Sequence, residues 1–484
     1  MLYLFWSLPL LTVAVLIATG WAGSVLAGAA GACFAVIVAG LAAPRHFGIG
    51  ESVQAIAHGT WLAFLIGFVI AGGLFFREVL SDEPMQKGPG QPSTEQRRRL
   101  FDICFLIGPF SESVTGFGVG QVSAVASIGS LGVAPLNAIV LGLFSQTLVP
   151  WGAMATGTML GAELAGLDPR DLGFRTACIS SILLVAWLCL FWRLARTAGL
   201  AANGAVLATE FAWILAIGAV LIVANILLGP ETAGMGALGP LIILRELLRS
   251  KGVVEPWLQT RSTVIPYALL AIGLSTTRIV PLIGERLFAL CHFKPISDAP
   301  AWAPLLHPGT WLIGIALGTA IVTGRQKRIT IAIRRTWPLA NRAIANIAVY
   351  LIISQVMAIS GIAAAAAELL NAHLGALAVL TTPVLAGVFG LLTGSGNATN
   401  GLLMPSQRSL ANLTAISLPW LAAVQNTTAC ALTMLSPVRV GIGCTLGGKP
   451  RHERQVYASA WSLGAVVLLL GVSITMLLLF SDTK

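Results

Sequence analysis

The fold is decided at Leu392-Thr393-Gly394-Ser395-Gly396-Asn397-Ala398-Thr399-Asn400, where a long apolar run that begins at Leu374 is interrupted. After Leu392, every residue of this stretch except Ala398 is polar or glycine. A lipid-facing helix cannot hold such a stretch, because each unpartnered backbone group in hydrocarbon costs several kcal/mol. Broken backbone persists at membrane depth only under a cover of protein or a water-filled cavity, and carriers bind their substrates at such breaks.

A second break lies in the first half of the chain, at Ser111-Glu112-Ser113-Val114-Thr115-Gly116-Phe117-Gly118-Val119-Gly120. Both breaks contain Thr-Gly-X-Gly, and each is followed at nearly the same distance by a polar cluster. These clusters are Ser145-Gln146-Thr147 and Gln425-Asn426-Thr427-Thr428. The pattern predicts an internal repeat. The alternative is a pair of unrelated glycine runs that let membrane helices pack closely.

Composition places the chain in a membrane. Of its 484 residues, 56% are hydrophobic and 10% are charged, and the mean hydropathy is +0.86. Soluble domains carry about 25% charged residues. At about 20 residues a span, we predict an all-α polytopic fold with about 11–13 transmembrane helices, some broken or re-entrant. The chain is predicted to be one membrane transport domain, residues 1–484, with inverted repeats at about 1–229 and 230–484.

The formal net charge is +10, and the basic residues lie between apolar runs. This distribution favours the cytoplasmic excess of Lys and Arg that orients membrane proteins, rather than binding to nucleic acid. The basic clusters are Arg97-Arg98-Arg99, Arg193 with Arg196, Arg245 to Lys251, Arg325 to Arg335, and Lys449 to Arg454. The seven cysteines show no metal-binding spacing and are interpreted as packing residues. Neither an ATPase motif nor a nucleophile–base pair is visible, so we expect no enzyme activity, cofactor or metal.

Glu112 is the candidate carrier of a coupling proton. An acidic residue at mid-membrane costs about 2.5–3.5 kcal/mol to insert, and an apolar environment disfavours its charged form. The alternative is a carboxyl held by Ser111 and Ser113 in a static helix break. Two other acids, Glu163 and Glu210, are interpreted as a surface charge and an interfacial residue.

Amides and hydroxyls on both breaks could hold a small carboxylate and its hydroxyl, together with backbone N–H groups at helix N-termini. The alternative for any one of them is an interhelical hydrogen bond, worth about 0.6 kcal/mol. The predicted substrate-binding residues are Ser111, Ser113, Thr115, Gly116, Gly118, Gln146, Thr147, Thr393, Ser395, Asn397, Thr399, Asn400, Gln425, Asn426, Thr427 and Arg439. Arg439 is the one cation of its segment and either binds a carboxylate by two parallel hydrogen bonds or extends to an interface.

Several of these residues lie in motifs that resemble those of the bacterial lactate permease family. The family motif Phe-Leu-Glu-Gly-Ala-Ala-Gly-Phe-Gly is similar to Phe110–Gly118, and Thr-Gly-Ser-Asp-Thr-Ser-Ser-Asn is similar to Thr393–Asn400. Further similarities lie at Arg98-Arg99-Leu100, Leu131–Leu136, Gly229-Pro230-Glu231, Ser360-Gly361 and Gln407. The resemblance extends from about Arg97 to Gly447.

The resemblance implies proton symport of a 2-hydroxymonocarboxylate, such as lactate or glycolate, by a multi-pass protein of the bacterial inner membrane. The implied partners are the small organic anion, a proton and the lipid bilayer, and a homodimer is left open. The alternatives are a carrier of another small organic anion, or a regulatory component or membrane enzyme that has kept the fold.

Three departures from the family pattern bear on the substrate. The family asparagine after the first break is Gln146, and the aspartate of the second motif is Gly396. The family lysine after the second polar cluster is missing, and Arg439 is a candidate replacement.

Overall fold

The computed structural model describes residues 2–80, 93–116, 118–249 and 261–481. Phe117 of the first break and Lys251 of the basic clusters lie outside these ranges. The described residues form 21 α-helices. They are α1 Leu2–Ala18, α2 Ser24–Ala42, α3 Ile49–Leu80, α4 Ser93–Asp102, α5 Gly108–Thr115, α6 Val119–Ser130, α7 Pro135–Gly142, α8 Gly152–Ala165, α9 Pro169–Thr197, α10 Gly204–Leu228, α11 Pro230–Arg249, α12 Arg261–Ile279, α13 Pro281–Leu290, α14 Pro308–Val322, α15 Gln326–Ile359, α16 Ile362–Leu374, α17 Thr381–Thr393, α18 Gly396–Thr414, α19 Leu418–Leu432, α20 Pro437–Leu446 and α21 Glu453–Ser481.

The predicted all-α membrane fold with broken helices is confirmed. Within the described ranges, eight helices are long and apolar enough to cross a membrane, or up to ten if two bent helix pairs each count as one span. Two shorter apolar helices, Phe5–Ala18 and Pro308–Val322, raise the count to between ten and twelve, which overlaps the predicted range. The bent pair that concerns the site is α7 with α8, whose axes differ by 57°.

Basic residues hold several helix ends together at one face of the molecule, which we call the basic face. Arg335 near the start of α15 bonds Glu78 near the end of α3 at 2.9 Å. Arg97 of α4 forms a buried ion pair of 2.8 Å with Glu210 of α10. Arg245 of α11 pairs with Asp102 at the end of α4. Glu210, interpreted as interfacial, lies near the start of α10, and its carboxylate is buried between Arg97 and Trp192.

Each break is the tip of a helical hairpin, and the two hairpins enter from opposite faces. The first hairpin, α5–α6, returns to the basic face, where Gln96 bonds the Leu131 carbonyl at 3.2 Å. The second hairpin, α17–α18, opens toward the other face and is tied by a bond of 2.7 Å between Thr382 and Gln407. This opposition is the geometry expected of an inverted repeat.

Two broken spans cross between the hairpins, and of these only the first, α7 with α8, is sharply bent. α7 and α8 run from the basic face to the other face, and α19 and α20 run the opposite way. The segment from Trp151 to Leu164, predicted to be re-entrant or packed, is the second half of the first bent span. Outside these elements, α1, α2, α3 and α15 share apolar cores with α18 and α8 and flank the site on one side.

Candidate functional site

The first hairpin turns on two glycines. α5 continues from a π-helical turn at Ile103–Ile107, where the Gly108 N–H donates to the Ile103 carbonyl, and Pro109 is its second residue. It ends at Thr115 because Gly116 has φ 70° and ψ −164°, a conformation essentially restricted to glycine. Gly118, at φ 78°, then starts α6. The turn directs backbone N–H groups toward the carboxylate of Glu112.

Glu112 is 1% exposed and bound on both oxygens. Its Oε1 accepts from the Gly118 N–H at 3.0 Å, and its Oε2 accepts from the Gly120 N–H at 3.1 Å. The Gln146 amide donates to Oε2 at 3.2 Å. Three donors therefore hold the carboxylate in place in this conformation.

Arg439, at the start of α20, connects the second half of the chain to this carboxylate. Its Nη1 lies 3.7 Å from Glu112 Oε1, close enough for an ion pair but longer than a hydrogen bond. The side chain is 10% exposed, which excludes the alternative that it extends to an interface. Among the described residues Nη1 has no hydrogen-bond partner. The backbone is fixed by Gln121, which donates to the Arg439 carbonyl at 3.0 Å.

The second hairpin turns at Gly394, which has φ 64° and ψ 17° in the left-handed region. Ser395 then caps α18 by accepting from the Ala398 N–H at 3.2 Å, as serine often does at a helix start. The hydroxyls of Thr393 and Thr399 lie 3.0 Å apart and close the turn. The hydroxyls of Thr393, Ser395 and Thr399 are therefore satisfied within the turn, which contains no charge.

Asparagines of α18 and α19 join the second hairpin to α8 of the first half. Asn397 bonds Thr156 at 3.2 Å, and Asn400 bonds the Gly157 carbonyl at 3.0 Å. Asn400 also donates to Asn426 at 2.7 Å, and Asn426 donates to Thr158 at 2.9 Å. The two halves are thus connected by two bridges. The charged bridge is the pair of Glu112 and Arg439, and the neutral bridge is formed by the asparagines with α8.

A left-handed turn at the start of α8 lies between these bridges. Ala153, Met154 and Ala155 have φ values of 48°, 56° and 57°. Such a conformation costs an L-residue about 1–2 kcal/mol. A Cβ added at Gly116 would stand 2.6 Å from Ala153 Cβ, so the first hairpin tip packs directly on this turn. The turn directs Thr156 and Gly157 toward the asparagines.

Several polar atoms of the predicted site are buried without a hydrogen-bond partner in the described part of the chain. Gln425, at 0% exposure, has neither its oxygen nor its nitrogen bonded. The others at predicted site residues are Gln146 Oε1, Thr147 Oγ1, Asn397 Oδ1, Asn400 Oδ1, Thr427 Oγ1 and Arg439 Nη1. Buried polar groups usually have partners, and a concentration of unpartnered ones is suited to receive a polar ligand.

Some predicted residues are not directed toward the shared region. The Ser113 hydroxyl donates to the Phe110 carbonyl at 2.7 Å, and a Cβ added to Gly234 of α11 would stand 2.7 Å from the Ser113 Cβ. Thr115 donates to the carbonyl of Ser111 at 2.7 Å. For Ser113 and Thr115, these contacts match the alternative interpretation, a structural hydrogen bond rather than a contact with substrate.

Sequence reasoning missed the polar partners on α8. Thr156, Gly157 and Thr158 supply acceptors to Asn397, Asn400 and Asn426. The sequence feature that could have pointed to them is the glycine-rich composition of Trp151 to Leu164, a segment too short for a plain span.

Comparison with known proteins supports the motif analysis. The family model described as L-lactate permease matches residues 301–481. An L-lactate permease of Streptococcus iniae is 24% identical over 405 residues, which cover 78% of this chain and 84% of the relative. The predicted resemblance to the lactate permease family is confirmed, and both matches are to permeases rather than enzymes.

Two solved structures are similar in overall shape. The Alcanivorax borkumensis YdaH transporter has a TM-score of 0.46 and 15% identity, with 90% of this chain and 87% of that chain covered. Neisseria gonorrhoeae MtrF, described as an antimetabolite efflux pump, has a TM-score of 0.46 and 13% identity, with 95% of each chain covered. Likenesses at these scores assign neither a fold nor a substrate.

Proposed function

We propose that this divergent relative of the L-lactate permeases is a secondary carrier that takes up a 2-hydroxymonocarboxylate, such as lactate or glycolate, together with a proton. The observation that carries the proposal is the buried pair of Glu112 and Arg439. It lies where a broken helix of one half meets a broken helix of the other. The matches to lactate permeases support the substrate class.

Charge balance couples the anion to the proton. Arg439 has a guanidinium nitrogen without a hydrogen bond in the described part of the chain, and a guanidinium binds a carboxylate by two parallel hydrogen bonds. An anion bound there would add a second negative charge beside Glu112, which is costly in a buried site. Protonation of Glu112 removes that cost. One anion and one proton therefore enter together, and the net charge of the site is unchanged.

Neutral groups hold the rest of the substrate. Asn397 Oδ1 and Asn400 Oδ1 are acceptors without partners among the described residues, and a 2-hydroxyl group is a donor. Beside Glu112, Gln146 Oε1 is a further acceptor without a partner among the described residues.

The carrier is placed in the bacterial inner membrane with its basic face in the cytoplasm, because cytoplasmic loops carry the excess of Lys and Arg. The core that holds both hairpin tips would rock or slide against a scaffold that includes α3 and α15. Opposed hairpins and broken helices are the elements expected of such alternating access.

Purified protein in liposomes tests the proposal. Uptake of labelled lactate is measured with and without an inward proton gradient, against competing glycolate, pyruvate, propionate and succinate. We expect saturable uptake that requires the proton gradient and is inhibited most by the 2-hydroxy acids. Uptake independent of the gradient would contradict proton coupling. Inhibition by succinate rather than by lactate or glycolate would contradict the substrate class.

A further inference from the structure

A cavity of about 200 Å³ opens on the face opposite the basic one. Its polar lining comes from His58 of α3, Glu163 of α8, Gln355 of α15 and the loop residue Asp298. Pro405 of α18 completes the wall. The interpretation of Glu163 as an ordinary surface charge is therefore incomplete, because its exposed side chain faces this cavity.

The cavity lies on the same two helices as the neutral bridge. On α8, Gly157 bonds Asn400, and Glu163 of the cavity follows less than two turns later. On α18, Asn400 precedes Pro405 of the cavity by little more than one turn. Both helices therefore lead from the cavity to the candidate site, with α3 and α15 forming the opposite wall.

A thin apolar layer separates the cavity from the asparagines. Leu62, Leu160 and Leu351 belong to one buried cluster at this seam. A Cβ added to Gly401, the residue after Asn400, would stand 3.0 Å from Leu351 and 3.8 Å from Leu160. The layer consists of side chains rather than backbone, so rotamer changes or a small shift of α8 and α18 would open it.

We propose that this cavity is the outer entrance of the transport pathway, and that Leu62, Leu160 and Leu351 form its inner seal in the conformation described. The inference rests on the proposed function and adds the route by which a small monocarboxylate reaches the site. The seam between α3 and α15 on one side and α8 and α18 on the other is the surface along which the two parts slide.

Cysteine labelling tests the route. Gln355→Cys and Ala358→Cys are made separately in a protein whose exposed Cys33, Cys189 and Cys291 are replaced by serine. Right-side-out vesicles are treated with a membrane-impermeant methanethiosulfonate, and lactate uptake is measured before and after. We expect modification from outside to remove most of the uptake at both positions.

Two matched controls accompany these variants. His373→Cys lies exposed at the end of α16, away from the cavity lining, and is expected to be modified from outside with uptake intact. Thr323→Cys lies exposed near the basic face and is expected to react only in inverted vesicles.

Each outcome separates the two proposals. Modification of both cavity cysteines with undiminished uptake, or modification only from the basic face, would overturn the entrance. Absence of lactate uptake in the unmodified proteins would instead count against the proposed function. The side from which each cysteine is labelled would still test whether the cavity opens to the outside.

Discussion

The two hairpin tips have similar sequences but different electrostatics. The first places a carboxylate, Glu112, among backbone donors and beside Arg439. The second contains no charge and reaches the opposite half through neutral amides of Asn397 and Asn400. The difference suggests a division of work, in which the charged tip couples anion to proton and the neutral tip positions the substrate.

Arg439→Gln should have the largest effect. Removing one partner of a buried ion pair costs about 3–5 kcal/mol, because the other charge stays buried and unpaired. We expect lactate uptake to be lost, and Arg439→Lys to retain part of it. The control is thermal unfolding of the purified variants. The double variant Glu112→Gln/Arg439→Gln should recover stability that the single Arg439→Gln variant loses. Normal uptake by Arg439→Gln would show that transport does not require the pair of Glu112 and Arg439.

Alanine at the two tip glycines should separate the hairpins by stability. At Gly116 the backbone lies in a region that costs other residues about 1–3 kcal/mol, and the new Cβ would stand 2.9 Å from the Ala153 nitrogen. At Gly394 the left-handed conformation costs about 1–2 kcal/mol. We expect Gly116→Ala to lower the Tm more than Gly394→Ala, with Gly394→Asn nearly neutral because asparagine tolerates this region. Equal losses would show that the tips are not packed differently.

Asn400→Leu tests the neutral bridge. It leaves the Gly157 carbonyl and Asn426 Oδ1 without the donor each now has, which costs about 1–3 kcal/mol. We expect a raised KM for lactate with proton coupling retained. The measurement is uptake kinetics at two external pH values. Loss of coupling in this variant would contradict the division between the tips.

Gln146→Asn, which introduces the residue of the lactate permease motif, should have the smallest effect. The shorter amide withdraws one of three donors from the Glu112 carboxylate, and the backbone donors of Gly118 and Gly120 remain. Lactate uptake should fall by less than about tenfold, which corresponds to about 1.4 kcal/mol. A loss of uptake as large as that of Arg439→Gln would contradict this ranking.

Both breaks could be predicted from sequence, because Thr393–Asn400 and Ser111–Gly120 place glycine and polar residues where an apolar helix should continue. The pairing of Glu112 with Arg439 could not, since the two residues are far apart in the chain and a lone arginine is equally compatible with an interface. The burial of Glu210 could not be predicted for a related reason. An acid at the edge of an apolar run reads as exposed unless its partner, here Arg97, is known.

The acceptors on α8 were missed because of backbone geometry. A left-handed turn of two alanines and a methionine has no sequence signal, since these residues normally favour right-handed helix. Without that turn, Thr156 and Gly157 read as ordinary helix residues rather than partners of Asn397 and Asn400.

Lactate movement by Glu112→Gln in liposomes tests the coupling most directly, because glutamine imitates the protonated carboxyl. In a counterflow assay, with unlabelled lactate inside and labelled lactate outside, the account predicts exchange at a substantial rate. With an inward proton gradient alone, it predicts no accumulation. Accumulation driven by the proton gradient in Glu112→Gln, equal to that of the unaltered protein, would contradict it.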